Sequence, residues 1–413
     1  MYLMFLHAFS QFSPKDSTGY KPRHLKVDEI NLVSSYYQQD GNHSPVTGGI
    51  GTEKVTDLAN GLDIKLVGYD PRQRKNTLTV DLGIDHHSSA SSAFVSKTGA
   101  SKTGGTRIYP SVNWSIENEK KGREFGLGAY YSTEYNYKSF GLDANFSKKT
   151  KKNGEFGAKL TGYFDQVKMI YPSELIPNAT TITNTSDSVI YVTTASGNTV
   201  ALSSGGSVTS SKSAIPSSPR NTYTASFSFS QIINTRLEAS ILLDLVYQTG
   251  YLGLPFHRVY FADDSVHVES LPSQRFKLPL GFRLNYFLGD NVIIRSYYRF
   301  YIDNWGLKSH TAGLEIPIKI SPFFSVSPFY RYYVQTAVSY FAPYKAHTLQ
   351  DQYYTSNYAL SAFSSQFFGA GLRLAPPKGI LGKGFNSLEI RYGHYSQTTD
   401  LVSDVISLNL KFK

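Results

Sequence analysis

The chain has 413 residues, a formal net charge of +10 and no cysteine. The lack of cysteine excludes disulfides, thiolate metal sites, iron–sulfur clusters and covalently attached c-type haem from this chain. The length allows two or three soluble domains or one large barrel. Aromatic residues make up 14% of the chain, with 31 Tyr and 26 Phe, which favours a membrane barrel because such residues collect where strands meet lipid headgroups.

The positive charge is spread over predicted strands and turns and forms no single basic block. We therefore predict no nucleic-acid partner, and we expect the membrane lipids and lipopolysaccharide to be the anionic partners. No helical run of about 18 apolar residues is present, so a helix that spans a membrane is not predicted.

The N-terminal segment 1–11 is apolar, with the small residues Ala8 and Ser10 near its end. It is predicted to be the remnant of a secretory signal peptide, and an ordinary disordered N-terminus is the alternative. Residues 12–24 are polar and are predicted to be a periplasmic segment that precedes a barrel over 25–413.

Polar and apolar residues alternate in several segments of the first half of the chain. In residues 77–85, apolar side chains occupy every even position and polar or small ones every odd position, which predicts a strand with one apolar and one polar face. Shorter or less regular patterns of the same kind predict further strands. The predicted strands of this half are 26–37, 57–69, 77–85, 107–117, 125–135, 137–147 and 156–167.

The segment 168–220 interrupts this pattern. It is rich in Ser and Thr, contains four prolines and has few aromatic residues after Tyr171. We predict one long external loop with a short hairpin near 188–202. A loop of this length is usually functional or disordered, and a mobile or sugar-coated surface loop is the alternative.

Alternation is most regular in the second half, above all over 274–334. In residues 275–288 the even positions carry Phe, Leu and Tyr, whereas the odd positions carry mostly charged, polar or small residues. The predicted strands of this half are 223–231, 237–248, 275–288, 292–303, 307–320, 323–335, 363–375, 388–397 and 401–413.

These segments predict an all-β protein, a single transmembrane antiparallel up-and-down β-barrel of about 16 strands. Every long connection follows an odd-numbered strand, which predicts long external loops, short periplasmic turns and both termini in the periplasm. The predicted location is the outer membrane of a Gram-negative bacterium. A last strand that ends near Phe412 resembles the terminal signal read by the barrel-assembly machinery, an expected partner.

Charged residues on the predicted inward parity divide into an acidic first half and a basic second half. Sequential strands are usually neighbours, so we expect an acidic wall that faces a basic wall across the lumen. Such walls would select solutes by charge, and the alternative is that the charges pair and only fill the lumen. The pore-lining candidates are Asp63, Asp81, Asp143, Asp165, Asp244, Lys277, Arg283, Arg295, Arg299, Arg331, Arg373 and Arg391.

Histidine and carboxylate residues also occur at the end of the predicted strand 77–85 and in the external loops, namely Asp85, His86, His87, His257, Asp263, Asp264, His267 and His347. Imidazole and carboxylate can bind a transition metal or form a hydrolytic site, but no HExxH spacing supports either. We assign no catalytic, cofactor-binding or metal-binding residue and predict no enzyme activity and no cofactor. Adjacent tyrosines, such as Tyr36-Tyr37 and Tyr332-Tyr333, are interpreted as interfacial girdles.

Several short segments together resemble the uncharacterised bacterial family called domain of unknown function 3570. They are TGASKTGGTRIYPS at 98–111, STEYNY at 132–137, RVYFAD at 258–263, RFKLP at 275–279, WGLKSHTA at 305–312 and YFAPY at 340–344. The resemblance covers nearly the whole chain and implies an outer-membrane barrel. It also implies a setting beside a small lipoprotein, a thioredoxin-like protein and a flavin transferase, but it assigns no catalytic residue.

The leading hypothesis from the sequence is a non-enzymatic, porin-like outer-membrane barrel that conducts small solutes or houses a partner. The alternative is a structural sleeve or subunit of an envelope redox complex linked to flavin and thioredoxin, with an envelope lipoprotein or redox protein as partner.

Overall fold

The computed structural model describes residues 21–89, 105–134, 136–175, 189–193, 198–203, 209–212, 216–380 and 384–412. Its main sheet contains 17 strand segments, two of which lie on one line and form a single strand, so the described residues give sixteen barrel strands. The predicted all-β barrel of about 16 strands is confirmed. The signal peptide predicted over 1–11 lies outside the described residues, as does most of the segment 12–24.

The sixteen strands follow one another around the barrel, and each pairs with its neighbours in an antiparallel manner. They are β1 (Arg23–Asp40), β2 (Val55–Tyr69), β3 (Lys75–Ser89), β4 (Gly105–Asn118), β5 (Arg123–Thr133), β6 (Tyr137–Lys149), β7 (Gly154–Lys168), β8 (Ser217–Asn234), β9 (Leu237–Gly250), β10 (Gln274–Leu288), β11 (Val292–Asp303), β12 (Lys308–Glu315 and Ile318–Ser321), β13 (Phe324–Gln335), β14 (Phe363–Leu374), β15 (Phe385–Gln397) and β16 (Val402–Phe412).

The barrel closes where the first strand meets the last. β1 pairs with β16 in one unbroken register from Ile30 opposite Phe412 to Asp40 opposite Val402. Closure leaves no unpaired strand edge, which is a requirement for a sheet in lipid. The last strand ends at Phe412, close to the predicted end.

The outer face of the barrel is apolar. On β3, Val80, Leu82 and Ile84 are each about 40% exposed, and similar side chains cover the outer face of the other strands. The predicted alternation is thus seen as an apolar exterior around a polar interior, the pattern of a transmembrane barrel. Within the described ranges, no helix is long and apolar enough to cross a membrane.

Tight turns join the strands at one end of the barrel. Between β2 and β3, the Asp70 carboxylate accepts hydrogen bonds from the backbone N–H groups of Arg72 and Arg74, both at 2.9 Å. Gln73 in this turn adopts a φ of 58°, and Asn153 adopts 59° in the turn before β7. These residues let the chain reverse in few residues, so this end carries only short connections apart from the longer link between β14 and β15.

Two predicted elements differ from the observed ones. The strand predicted over 307–320 is interrupted at Ile316 and Pro317, because proline has no N–H to donate to the ladder. The hairpin predicted near 188–202 corresponds to Val189–Thr193 paired with Asn198–Ser203, and Thr209–Lys212 adds a third strand.

Candidate functional site: interior charges and a loop cap

All twelve predicted pore-lining residues lie on the interior face of the strands. Residues directly opposite each other in an antiparallel pair of strands share a face. The observed strand register sets acidic residues opposite one another or opposite basic residues. Asp63 lies opposite Asp81, Asp165 opposite Arg220, and Lys277 opposite Asp303. Whether these residues line a conducting pore stays a prediction.

The acidic and basic groups occupy opposite sides of the barrel. In a ring of sixteen strands, β2 and β3 lie across from β10 and β11, which are eight positions further on. Asp63 and Asp81 therefore face the side that carries Arg283, Arg295 and Arg299. The strand positions are those from which the sequence predicts a field across the lumen, and the field itself stays a prediction.

Some of the interior charges form ion pairs and others do not. Asp143 contacts Lys159 at 3.1 Å, Asp165 contacts Arg220 at 3.1 Å, and Glu315 contacts both Arg391 and Arg295, at 2.9 and 3.6 Å.

Among the described residues, the other eight of the twelve candidates have no oppositely charged side chain within 4 Å. Three are acidic and five are basic: Asp63, Asp81, Asp244, Lys277, Arg283, Arg299, Arg331 and Arg373. Among the twelve candidates, the charges without an oppositely charged partner are therefore mainly positive.

Only one tyrosine of each adjacent pair on a strand faces outward, where it could belong to an interfacial girdle. For the other tyrosine of the pair, the girdle interpretation was wrong. Neighbours along a strand point to opposite faces, so Tyr36 and Tyr332 face outward whereas Tyr37 and Tyr333 face inward. The inward residues lie near the long-loop end of the barrel. Tyr37 donates to Gln39 and Tyr333 to Gln335, at 2.7 and 2.6 Å.

The long loops form a folded cap at this end. We define the cap as residues 41–54, 169–175, 251–273, 304–307 and 336–362. The largest buried apolar side chains of the described residues lie almost entirely in these loops, including Phe256, Val259, Phe261, Trp305 and Val338, each 3% exposed or less. The main hydrophobic core of the protein is therefore outside the barrel strands, which the loop prediction did not anticipate.

Arg258 joins loops that start from opposite sides of the barrel. Its side chain is 1% exposed and donates to Glu174 at 2.5 Å and to the Val46 carbonyl at 2.7 Å. Loop 41–54 follows β1, whereas loop 251–273 follows β9, half a turn around the ring. Sixteen strands about 4.8 Å apart give a barrel roughly 24 Å across or more, so these loops extend over the mouth to meet.

A second buried contact joins loops 251–273 and 336–362. The Glu269 carboxylate accepts from Thr355 Oγ1 at 2.5 Å and from the Leu254 N–H at 3.0 Å, and His257 Nδ1 lies 3.3 Å away. Burial alone would raise the pKa of Glu269, but His257 and these hydrogen bonds outweigh it and lower the pKa below its usual value of 4.5. Glu269 is therefore a buried carboxylate held ionised.

The histidine and carboxylate residues considered as a metal or hydrolytic site are spread among separate contacts, and His86 and His87, predicted to lie in a loop, are part of β3. Asp85 pairs with Arg107 and His87 with Glu134, whereas His347 contacts Asp351 and the Thr355 carbonyl. In the part of the chain that the structure describes, no group of three or more His, Asp or Glu residues is placed to hold a metal ion.

Comparisons with known proteins identify a family but no activity. The family described as Protein of unknown function (DUF3570) matches residues 76–400, so the resemblance predicted from the sequence is confirmed. The predicted segments at 258–263, 305–312 and 340–344 lie wholly or partly in the cap. No curated protein matches the sequence.

Among solved structures, the chain is similar to outer-membrane proteins with which it shares little sequence identity. Pseudomonas aeruginosa OccD3 (OpdP) matches with 7% identity, a TM-score of 0.42 and 95% of each chain covered. Acinetobacter baumannii OccAB3 matches with 10% identity, a TM-score of 0.40 and coverage of 93% and 98%. A BenF-like porin from Pseudomonas fluorescens matches with 7% identity, a TM-score of 0.41 and coverage of 93% and 98%.

Proposed function

Because this chain belongs to the family described as Protein of unknown function (DUF3570), whose description supplies no activity, we propose a function from the barrel itself: an outer-membrane channel that passes small solutes and favours anions. The observation that carries this proposal is the group of five Arg and Lys candidates without a carboxylate partner in the described segments, all on one side of the barrel from β10 to β14. Fixed charges of one sign in a lumen raise the local concentration of ions of the opposite sign.

The architecture supports the location. An apolar exterior on a closed antiparallel barrel fits the bilayer, and bacterial barrels of this kind occupy the outer membrane with long loops outside and short turns in the periplasm. On this basis the cap faces the exterior and both termini lie in the periplasm. We also propose that the protein has no enzymatic activity. The redox-sleeve alternative and its lipoprotein partner stay predictions, because no contact within the described residues bears on them.

The proposal is tested by conductance of the purified barrel in a planar bilayer with a KCl gradient. We expect discrete steps and a reversal potential that indicates anion preference. Arg331→Ala should lower the anion-to-cation permeability ratio by about twofold or more, because Arg331 has no carboxylate partner among the described residues. Arg295→Ala should have a smaller effect, since Glu315 lies 3.6 Å away and already offsets that charge.

Arg72→Ala is the matched control, because Arg72 lies exposed in the turn between β2 and β3 and outside the lumen. Its reversal potential should equal that of the unmodified barrel. A barrel that inserts correctly but gives no conductance steps, or one that prefers cations, would contradict the proposed function.

A further inference from the structure

A recess of about 640 Å³ opens into the barrel interior on the side formed by β10 to β16. Binding sites for small organic molecules usually measure roughly 300–1,000 Å³, so the recess has the size of a ligand site. Four arginines and one glutamate line it: Arg283, Arg295, Arg331, Arg391 and Glu315. The single carboxylate leaves an excess of positive charge.

The four arginines differ in their partners. Glu315 contacts Arg391 and Arg295, and Glu389 contacts Arg391 as well, which partly neutralises both arginines. Arg331 instead lies over the Phe367 ring, with its guanidinium carbon 4.9 Å from the ring centroid, and is exposed to the interior. In the described part of the chain no carboxylate lies within 4 Å of it. Contact with the ring uses none of its N–H groups as donors to a carboxylate, so they remain available to an incoming anion.

An aromatic surface is built beside Arg331. The rings of Phe329 and Phe367 lie 5.1 Å apart, and the guanidinium of Arg391 lies 5.2 Å from the Phe329 centroid. Two glycines provide room for these rings. A Cβ at Gly393 would lie 2.5 Å from Phe367 Cζ, and one at Gly369 would lie 2.8 Å from Phe329 Cζ. The two rings are tilted by 43°, so the recess offers a cation together with an angled aromatic surface.

We propose that this recess binds organic carboxylates with a flat, apolar body, with the carboxylate on Arg331 and the body against Phe329 and Phe367. The inference rests on the proposed function in that it names the class of anion the channel would take up. A guanidinium fork matches a carboxylate through two parallel hydrogen bonds, and aromatic rings stack on one another in offset or edge-to-face arrangements. A small anion such as acetate uses only the first of these interactions.

Equilibrium binding to the purified barrel in detergent tests the inference without any need for conduction. Calorimetric titrations would compare benzoate, acetate and benzylamine. We expect benzoate to bind saturably and at least about tenfold more tightly than acetate, because acetate lacks the ring. We expect benzylamine not to bind, because it has the same ring as benzoate but a positive charge. Equal affinities for benzoate and acetate, or tighter binding of benzylamine, would overturn the inference.

Two variants separate the contributions of charge and ring. Arg331→Gln should weaken benzoate at least about tenfold, as expected for loss of a charge-assisted bidentate pair. Phe367→Ala should lower the affinity for benzoate toward that for acetate and leave acetate unchanged. The matched controls are Arg72→Gln in an exposed turn and Phe363→Ala, which removes an interior phenyl at the start of β14 outside the recess. Unaltered benzoate binding by Arg331→Gln, with both controls normal, would refute the site.

This design distinguishes failure of the binding site from failure of the channel. Benzoate binding by a barrel that gives no conductance steps would support the site and contradict the channel. Conductance steps with anion preference, together with no preference for benzoate over acetate in the titration, would contradict the site and support the channel.

Discussion

At the scale of single residues, Arg258 is the side chain that joins the cap across the barrel mouth. It is buried, and it donates both to a carboxylate in the segment 169–175 and to a carbonyl in loop 41–54. The planar guanidinium can satisfy both acceptors at once, which an ammonium group with a single nitrogen cannot do in the same geometry. The stability of the cap should therefore depend on the shape of this side chain as well as on its charge.

Replacement of Arg258 by alanine should loosen the cap and leave the barrel folded. Removal of one partner of a buried ion pair costs roughly 3 kcal/mol, because the remaining groups lose their compensation. We expect hydrogen exchange of the backbone amides of loop 41–54 to accelerate about 100-fold, with the strands unchanged. Arg258→Lys should give an intermediate rate and Arg72→Ala no change. Equal exchange rates in Arg258→Ala and the unmodified protein would show that the contact does not hold the cap.

At the scale of elements, Glu269 makes the link between loops 251–273 and 336–362 dependent on pH. The pKa of Glu269 is lowered in the folded cap, so its contribution to stability is complete above its ordinary pKa of 4.5. That contribution is lost as the pH falls through the lowered value, when the carboxylate takes up a proton. The cap should therefore hold from neutral pH down to about pH 5 and loosen in more acidic solution.

Trp305 provides a direct measurement of this transition. The protein has two tryptophans, and Trp305 is buried in the cap whereas Trp114 lies on β4. In a Trp114→Phe background, Trp305 emission should shift to the red below about pH 4.5. With Glu269→Gln added, that shift should disappear or shrink, since the amide does not titrate. A shift of the same size in both proteins would assign the transition to other groups.

Elements differed in how far the sequence could predict them. Period-two alternation predicted the strands of the barrel and the face of each interior charge, because a closed barrel leaves only two environments for a strand side chain. The cap was not predicted, because loops that fold on one another lack a regular period and their partners are distant in the chain, as Arg258 and Val46 show.

The sequence also did not show which interior charges pair, since contacts such as Arg391 with Glu315 depend on the path of side chains across several strands. The aromatic-rich segments at 258–263 and 340–344 were a signal that these loops are not ordinary surface loops.

At the scale of the whole molecule, a cap with its own hydrophobic core stands over a charged lumen. Loops 41–54 and 251–273 approach from opposite sides, and Tyr260 packs against Gly48, where a Cβ would lie 2.5 Å from the ring. Buried apolar side chains and buried ion pairs make repeated opening of such a structure costly. We therefore expect the cap to stay closed during conduction, with solutes passing between the cap and the barrel wall.

A chemical link across the mouth tests this expectation. The natural chain contains no cysteine, so Thr47→Cys and Tyr260→Cys together introduce the sole pair of thiols, one on each loop. A short bis-maleimide should join them in the folded protein, and the single-channel conductance should stay within about a factor of two of the unlinked value, because a closed cap already defines the path. Each single-cysteine variant, treated in the same way, controls for modification alone. Loss of conductance in the linked protein alone would mean that the two loops must separate for solutes to pass, and the cap would then act as a gate.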